Sequence, residues 1–207
     1  MSETFQHLHS NGICGHRVAT HDHLVKFYCD LRNLTDLVCD YVVPGISRGD
    51  GIIIIATQTN RKAFEAALEN RSIDVTMAKA AGQVLLLDAE ETLRKIMSGG
   101  MPVTSKFNAV IGEKIIKMLE KYPNIRAYGE MVNVLWKQDC VEGTIALEKF
   151  WNSLAVIHPF ALLCSYSMDE NLMKKGKSLS DICSTHTHYI NDKGDFYKKK
   201  LLPESFL

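Results

Sequence analysis

The side chains of this sequence that could do chemistry are one carboxylate, a set of histidines and a set of cysteines. In IRAYGEMVNVLW, Ile125 to Trp136, Glu130 directly follows a strand-like apolar run and directly precedes an amphipathic helix. In open α/β sheets the carboxyl ends of strands are where ligands bind, and a helix N-terminus beside them offers unpaired N–H groups and a favourable dipole. Glu130 is therefore the first candidate for a pocket residue; the alternatives are that it caps its own helix or pairs with Arg126 or Lys137. The histidines fall in two groups, His21-x-His23 and Cys183-x-x-His186-x-His188. On a strand, residues i and i+2 share a face, so each HxH could present two imidazoles to a metal. The spacing lacks the two tight ligand pairs that announce a structural zinc, so neither a metal nor another cofactor is expected. A nucleophile and base could be Cys164 with His158 or His186. Cys164 lies inside PFALLCSY, however, where burial raises a thiol pKa and blunts it, so core packing is the expected role.

Other catalytic patterns are missing or out of place. GxSxG is met in GISRG, Gly45 to Gly49, but there it closes a predicted helix instead of following a strand, so it makes no nucleophile elbow; HExxH, GxxxxGK[ST] and GxGxxG do not occur. The turn after the first strand reads Tyr28-Cys29-Asp30-Leu31-Arg32-Asn33. It supplies neither the glycines that let a backbone approach phosphate oxygens nor the lysine that neutralises them. Nucleotide hydrolysis is not expected, and no enzyme activity is.

The chain that positions these groups has 207 residues, 46% hydrophobic and 23% charged, which suits one globular domain. A chain of this size buries about 70% of its unfolded surface and needs no staple. Lys+Arg 24 balance Asp+Glu 24, so no global field draws it to nucleic acid or to an anionic membrane. Six cysteines without a CxxC pair, several of them in apolar runs, suit a reduced, intracellular setting. No secretory h-region and no apolar run of about 18 to 20 residues is found, so a cytoplasmic location is expected.

Residues 1–20 are polar and aperiodic and read as a tail whose composition favours disorder. HLVKFY, His23 to Tyr28, predicts a strand, and Leu34, Leu37, Val38, Tyr41 and Val42 predict a helix over Asn33 to Ile46. GIIIIAT predicts a strand buried on both faces, followed by a helix over Lys62 to Asn70 capped by Thr59 or Asn60. Gly82 to Asp88 predicts the next strand and Ala89 to Met97 a short helix. A longer helix runs from Thr104 or Ser105 through Leu119. Ile125 to Gly129 and His158 to Met168 predict further strands, with helices over Met131 to Lys137 and Val141 to Ile157 between them. A short helix near Leu179 to Thr185 and an edge strand near His188 to Ile190 complete the domain, leaving residues 191–207 as a C-terminal tail. Strands alternating with helices predict a three-layer α/β/α sandwich with a mostly parallel sheet. Phe27, Tyr28, Tyr128, Glu130 and Tyr166 would then emerge at one carboxyl edge, an apolar hollow with few polar groups, the usual chemistry of a small-molecule pocket.

Taken in order, HLVKFY, SRGDGIIIIAT, QVLLLDAEETLRKIMSGGMP, IRAYGEMVNVLW, LEKFWNSLAVIHPFALLCSY and ICSTHTHYI resemble the MEDS domain, a sensory domain of methanogens, methylotrophs and the DcmR regulator. The resemblance covers residues 21–190, and GEMVNVLW and FALLCSY carry it most specifically. It implies a RecA- and KaiC-like core without a phosphate loop. Tyr28 to Asn33 would stand in the phosphate-loop position, Thr57-Gln58 in the place of the catalytic acidic pair, and Ile125 to Glu130 in that of the Walker B strand. It further implies a non-enzymatic sensor of a small apolar or amphipathic, hydrocarbon-like ligand. Phe27, Tyr28, Glu130 and Tyr166 would line the site, with His23 and His186 at its rim. Such domains are often fused to an output module. Here the sequence ends soon after residue 190, so the output is expected through a separate partner, a histidine kinase or transcription regulator, or through homo-oligomerisation. The alternative is a ligand-independent interaction module; a residual nucleotide-binding ATPase ranks third.

Overall fold

The computed structural model describes residues 18–168, 176–191 and 196–198. The expected tails therefore lie largely outside the described residues. The strands are β1 (His23–Tyr28), β2 (Gly51–Ala56), β3 (Val84–Asp88), β6 (Ile125–Gly129), β7 (Phe160–Ser167), β8 (His188–Ile190) and β9 (Phe196–Lys198), with a small hairpin of β4 (Met97–Ser98) and β5 (Met101–Pro102). The main sheet has the order β3-β2-β6-β7-β1-β8-β9. Its first six strands are parallel, and β9 pairs antiparallel with β8. β8 is thus not the edge, because β9 covers it from within the stretch read as the C-terminal tail.

The helices are α1 (Leu31–Arg48), α2 (Gln58–Asn70), α3 (Val75–Ala80), α4 (Ala89–Ile96), α5 (Thr104–Phe107), α6 (Glu113–Leu119), α7 (Met131–Lys137), α8 (Val141–Ile157) and α9 (Gly176–Thr185). Parallel strands need crossovers, and the crossover helices cover both faces, which is why β1, β2 and β6 are buried along their whole length. Two cores result. On one face Leu24, Tyr28, Ile52, Ile54 and Tyr128 pack beneath α1 and α2. On the other Val25, Phe27, Ile53, Ile55, Cys164 and Tyr166 pack beneath α4, α7 and α8. Each buried isoleucine of β2 contributes about 1.5–3 kcal/mol. The period of two along each strand decides which side chain reaches which site.

The expected helix over Thr104 to Leu119 is present but carries a π turn at Asn108–Gly112. α3 was not anticipated; its signal is Asp74, whose carboxylate accepts from the Met77 N–H as an N-cap. α2 starts earlier than expected, at Gln58 after Thr57, because Asn60 is engaged elsewhere.

Candidate functional site

Polar groups lie on both faces of the sheet, one at its carboxyl edge and one reaching from mid-strand toward the amino ends of β1 and β8. On the α1–α2 face, the chain turns out of β6 at Glu130, whose N–H donates to Ile55 O at 2.9 Å. Its side chain does not cap α7. It crosses to the end of β2, where it accepts from the Thr57 N–H at 2.8 Å and from Asn60 Nδ2 at 2.7 Å. Glu130 is 2% exposed. Burial pushes its carboxyl up from the ordinary range, against the downward pull of the Thr57 and Asn60 hydrogen bonds. Arg126 is not its partner; that guanidinium reaches Tyr41 O at 2.6 Å and Asp50 at 3.3 Å. Beside Glu130, the Tyr28 hydroxyl accepts from Asn133 Nδ2 at 3.3 Å, and burial together with the Glu130 charge pushes its pKa up to about 12. The β1–α1 turn is only Cys29-Asp30, and the Asp30 carboxylate caps α1 by accepting from the Arg32 N–H at 3.0 Å.

On the opposite face a second polar group lies deeper. α8 presents Thr144, Leu147, Trp151 and Leu154 inward, and Glu148 on the same stripe, fully buried. Glu148 Oε2 lies 3.2 Å from His23 Nε2 of β1 and 3.6 Å from Cys164 Sγ of β7. Its Oε1 accepts a short hydrogen bond from the Tyr166 hydroxyl and lies 3.4 Å from His186 Nε2, just beyond α9. The two imidazole rings are 4.0 Å apart. The far nitrogens are also held: His23 Nδ1 meets Asn152 Oδ1 at 2.8 Å, and His186 Nδ1 meets Ile182 O at 2.8 Å. Burial raises the Glu148 carboxyl, but His186 and His23, in their protonated forms, outweigh it and hold the group below its usual range. Burial, then His186, holds His23 below its ordinary value against the pull of Glu148 and Asn152. Cys164 and Tyr166 are both pushed well up by burial and by the Glu148 charge. Such a thiol is not a nucleophile at neutral pH.

Residues 22–187 match the family model of the MEthanogen/methylotroph, DcmR Sensory domain, MEDS. The chain belongs to the MEDS family. A search of curated proteins found no match. Among solved structures, this MEDS domain is similar to the flagellar accessory protein FlaH from Methanocaldococcus jannaschii, with a TM-score of 0.53 at 11% identity over 86% of this chain and 73% of that one. It is also similar to PH0250 from Pyrococcus horikoshii OT3, with a TM-score of 0.51 at 12% identity over 91% of each chain. Both have the RecA-like ATPase fold, and the MEDS domain shares it. Among the described residues, no helix is long and apolar enough to cross a membrane.

The MEDS domain divides the six residues singled out by sequence. His23, Phe27 and Tyr166 face α8, and His186 joins them there, but only Phe27 and Tyr166 stand near the carboxyl edge; His23 opens β1 and His186 precedes β8, so the two histidines are not at the rim of that edge. Tyr28 and Glu130 point to the α1–α2 face. Phe27 and Tyr28 are neighbours on one strand, so they must face opposite ways. On the α8 face Phe27 lies 5.8 Å and Trp136 5.9 Å from the Tyr166 ring, forming an aromatic wall beside the Glu148 group. Glu148 was missed in the sequence. Its signal was a carboxylate on the apolar stripe of VEGTIALEKFWNSLAVI, where only a partnered one persists. Three cavities lie away from both groups: about 280 Å³ by Arg48, Asp50 and Arg126, about 310 Å³ by Val84, Met118 and Tyr122, and about 530 Å³ by Gln58, Arg61, Asp88 and Glu91.

Proposed function

We propose that this MEDS domain is a non-catalytic sensor that binds a small apolar or amphipathic, hydrocarbon-like molecule at the carboxyl edge of its sheet and signals through a separate protein. The supporting observation is the wall of Phe27, Trp136 and Tyr166 near that edge, with the buried Glu148 group deeper in the sheet behind it. An apolar wall with a few convergent polar groups is what orients a small ligand. Nucleotide turnover is disfavoured because the Asp30 carboxylate closes the N-terminus of α1, and a phosphate there would meet like charge. Phe27 and Tyr166 are buried, so an incoming ligand displaces their rings, and that displacement is the signal. α8 carries it outward: the helix bears Glu148 inside and ends at Val156 and Ile157, which are 83% and 72% exposed. Those two residues also favour a second reading, an interaction module that needs no ligand.

The test is the melting temperature of the full chain against a panel of short alkyl halides, alcohols and fatty acids. A ligand at 100 times its Kd stabilises by about 2.7 kcal/mol, a rise of roughly 5–11 °C for a domain of this size. Phe27→Leu is expected to shrink the rise. A panel without effect on the wild-type chain discards the sensor reading, and a partner captured equally well with and without the panel selects the interaction module.

A further inference from the structure

We infer that His23, Glu148, Cys164 and His186 form a tetrahedral site for a divalent transition ion, with Zn²⁺ the best fit. One ligand atom from each lies within 4.8 Å of all the others, and all four residues are buried. One triangular face of the cluster already has the edges of a zinc tetrahedron, and the remaining separations, all within 4.8 Å, close by a small side-chain adjustment of His186. Bonds of about 2.0–2.2 Å to nitrogen and oxygen and about 2.3 Å to sulfur give edges of about 3.3–3.4 Å between N and O and about 3.5–3.6 Å to sulfur. With Glu148 Oε2 as the carboxylate vertex, the edges to His23 Nε2 and Cys164 Sγ are 3.2 and 3.6 Å and the His23 Nε2–Cys164 Sγ edge is 3.5 Å, while His186 Nε2 lies 3.4 Å from the other oxygen, Oε1.

The hydrogen bonds around the cluster set the imidazoles as ligands. Ile182 O can only accept, so His186 Nδ1 is its N–H donor. Asn152 Nδ2 donates to Thr185 O at 2.8 Å, which turns Oδ1 toward His23 and makes His23 Nδ1 a donor as well. In the neutral rings both Nε2 atoms then point lone pairs at Glu148. Outer partners of this kind fix the tautomer of metal-bound histidine. His186 Nε2 is buried and makes no hydrogen bond. Two lone pairs facing a carboxylate repel unless a positive charge lies between them. A dication with the Glu148 carboxylate and a Cys164 thiolate sums to zero, as a buried site requires. Binding forms one metal–sulfur bond, breaks the S–H bond and releases that proton to solvent. Two imidazoles, one thiolate and one carboxylate in tetrahedral array suit zinc rather than the harder, octahedral magnesium or calcium.

This deepens the sensory reading, because the ion would sit at the polar end of that site, yet it requires no organic ligand. The full chain, stripped with chelator, is titrated with Zn²⁺ and with Co²⁺. One equivalent is expected to bind, with tetrahedral cobalt absorbance and a thiolate-to-cobalt band. Cys164→Ser removes that band, and His186→Gln weakens Zn²⁺ by more than the roughly 10–100-fold that loss of an outer partner costs. Should those variants not fold, Asn152→Ala tests the outer partner and is expected to weaken binding by roughly 10–100-fold. A wild-type chain that binds no stoichiometric ion overturns the inference, leaving a protonated imidazole as the counter-charge of Glu148. Undiminished binding in the Cys164→Ser, His186→Gln double variant places the ion elsewhere and overturns it too. An ion held as described by a chain that answers no organic ligand supports this inference while discarding the sensor reading.

Discussion

Replacing Glu130 by alanine tests whether this carboxylate is a structural tie. The substitution removes the acceptor of three donors, the Thr57 N–H at 2.8 Å, Asn60 Nδ2 at 2.7 Å and, more weakly, the Thr57 hydroxyl at 3.3 Å. Each buried donor left without a partner costs about 1–3 kcal/mol. The loss is partly offset, because burying the carboxylate was itself unfavourable, as the raised pKa of Glu130 shows. A net destabilisation of about 2–4 kcal/mol is expected, a fall in Tm of roughly 5–15 °C. Glu130→Gln keeps one carbonyl oxygen for the donors but brings an NH₂ group against them, and should lose about half as much. Urea and thermal unfolding of the full chain, followed by circular dichroism, measure both. A loss below about 1 kcal/mol for alanine, or a glutamine variant less stable than the alanine one, refutes the reasoning.

Four further outcomes follow from particular contacts. Glu130 titrates above its ordinary 4.5 in the folded chain, so the folded state binds the proton first and this group's contribution rises as pH falls through the raised value toward 4.5; Glu130→Gln should flatten that part of the stability–pH curve. Tyr166→Phe leaves no cavity but removes the donor to the buried Glu148, with an expected loss of about 1.5–3 kcal/mol by urea unfolding; no loss would mean that the hydroxyl is dispensable to Glu148. Gly45→Ala places a Cβ 2.7 Å from Arg126 Cδ and 3.1 Å from Ile52 Cδ1 in the interior of α1, costing about 1–3 kcal/mol, whereas a stabilised variant would show that Arg126 yields freely. Under native conditions at neutral pH, iodoacetamide should modify the exposed Cys29 and leave the buried Cys164 intact by peptide mass spectrometry; prompt labelling of Cys164 would contradict its burial.

Much of the fold was legible because parallel strands leave continuous apolar runs. HLVKFY and the bounds of α7 and α8 fall where the sequence placed them. α3 escaped because VTMAKA is too short to show a period, and the start of α2 moved because Asn60 serves Glu130 rather than its own helix. The polar clusters were only half legible. Local spacing paired His21 with His23 and His186 with His188, but the sheet takes one histidine from each pair and adds Cys164 and Glu148 from elements far away in sequence. Spacing within one strand cannot report a contact made by crossover topology. The sequence also grouped Phe27 with Tyr28, and the pleat of β1 separates them onto opposite faces.

The cluster around Glu148 draws on both ends of the domain. Thr187, which follows His186, donates its N–H to His23 O at 2.7 Å and its Oγ1 accepts from the His23 N–H at 2.9 Å, across 164 residues. Closing a loop of that length costs about 4–5 kcal/mol of chain entropy, beyond a constant term. A ribosome must therefore have released nearly the entire domain before these imidazoles can meet, and any truncation ahead of His186 leaves the first strand without its last neighbour. Whatever counter-charge settles between them acts as a latch on a finished chain.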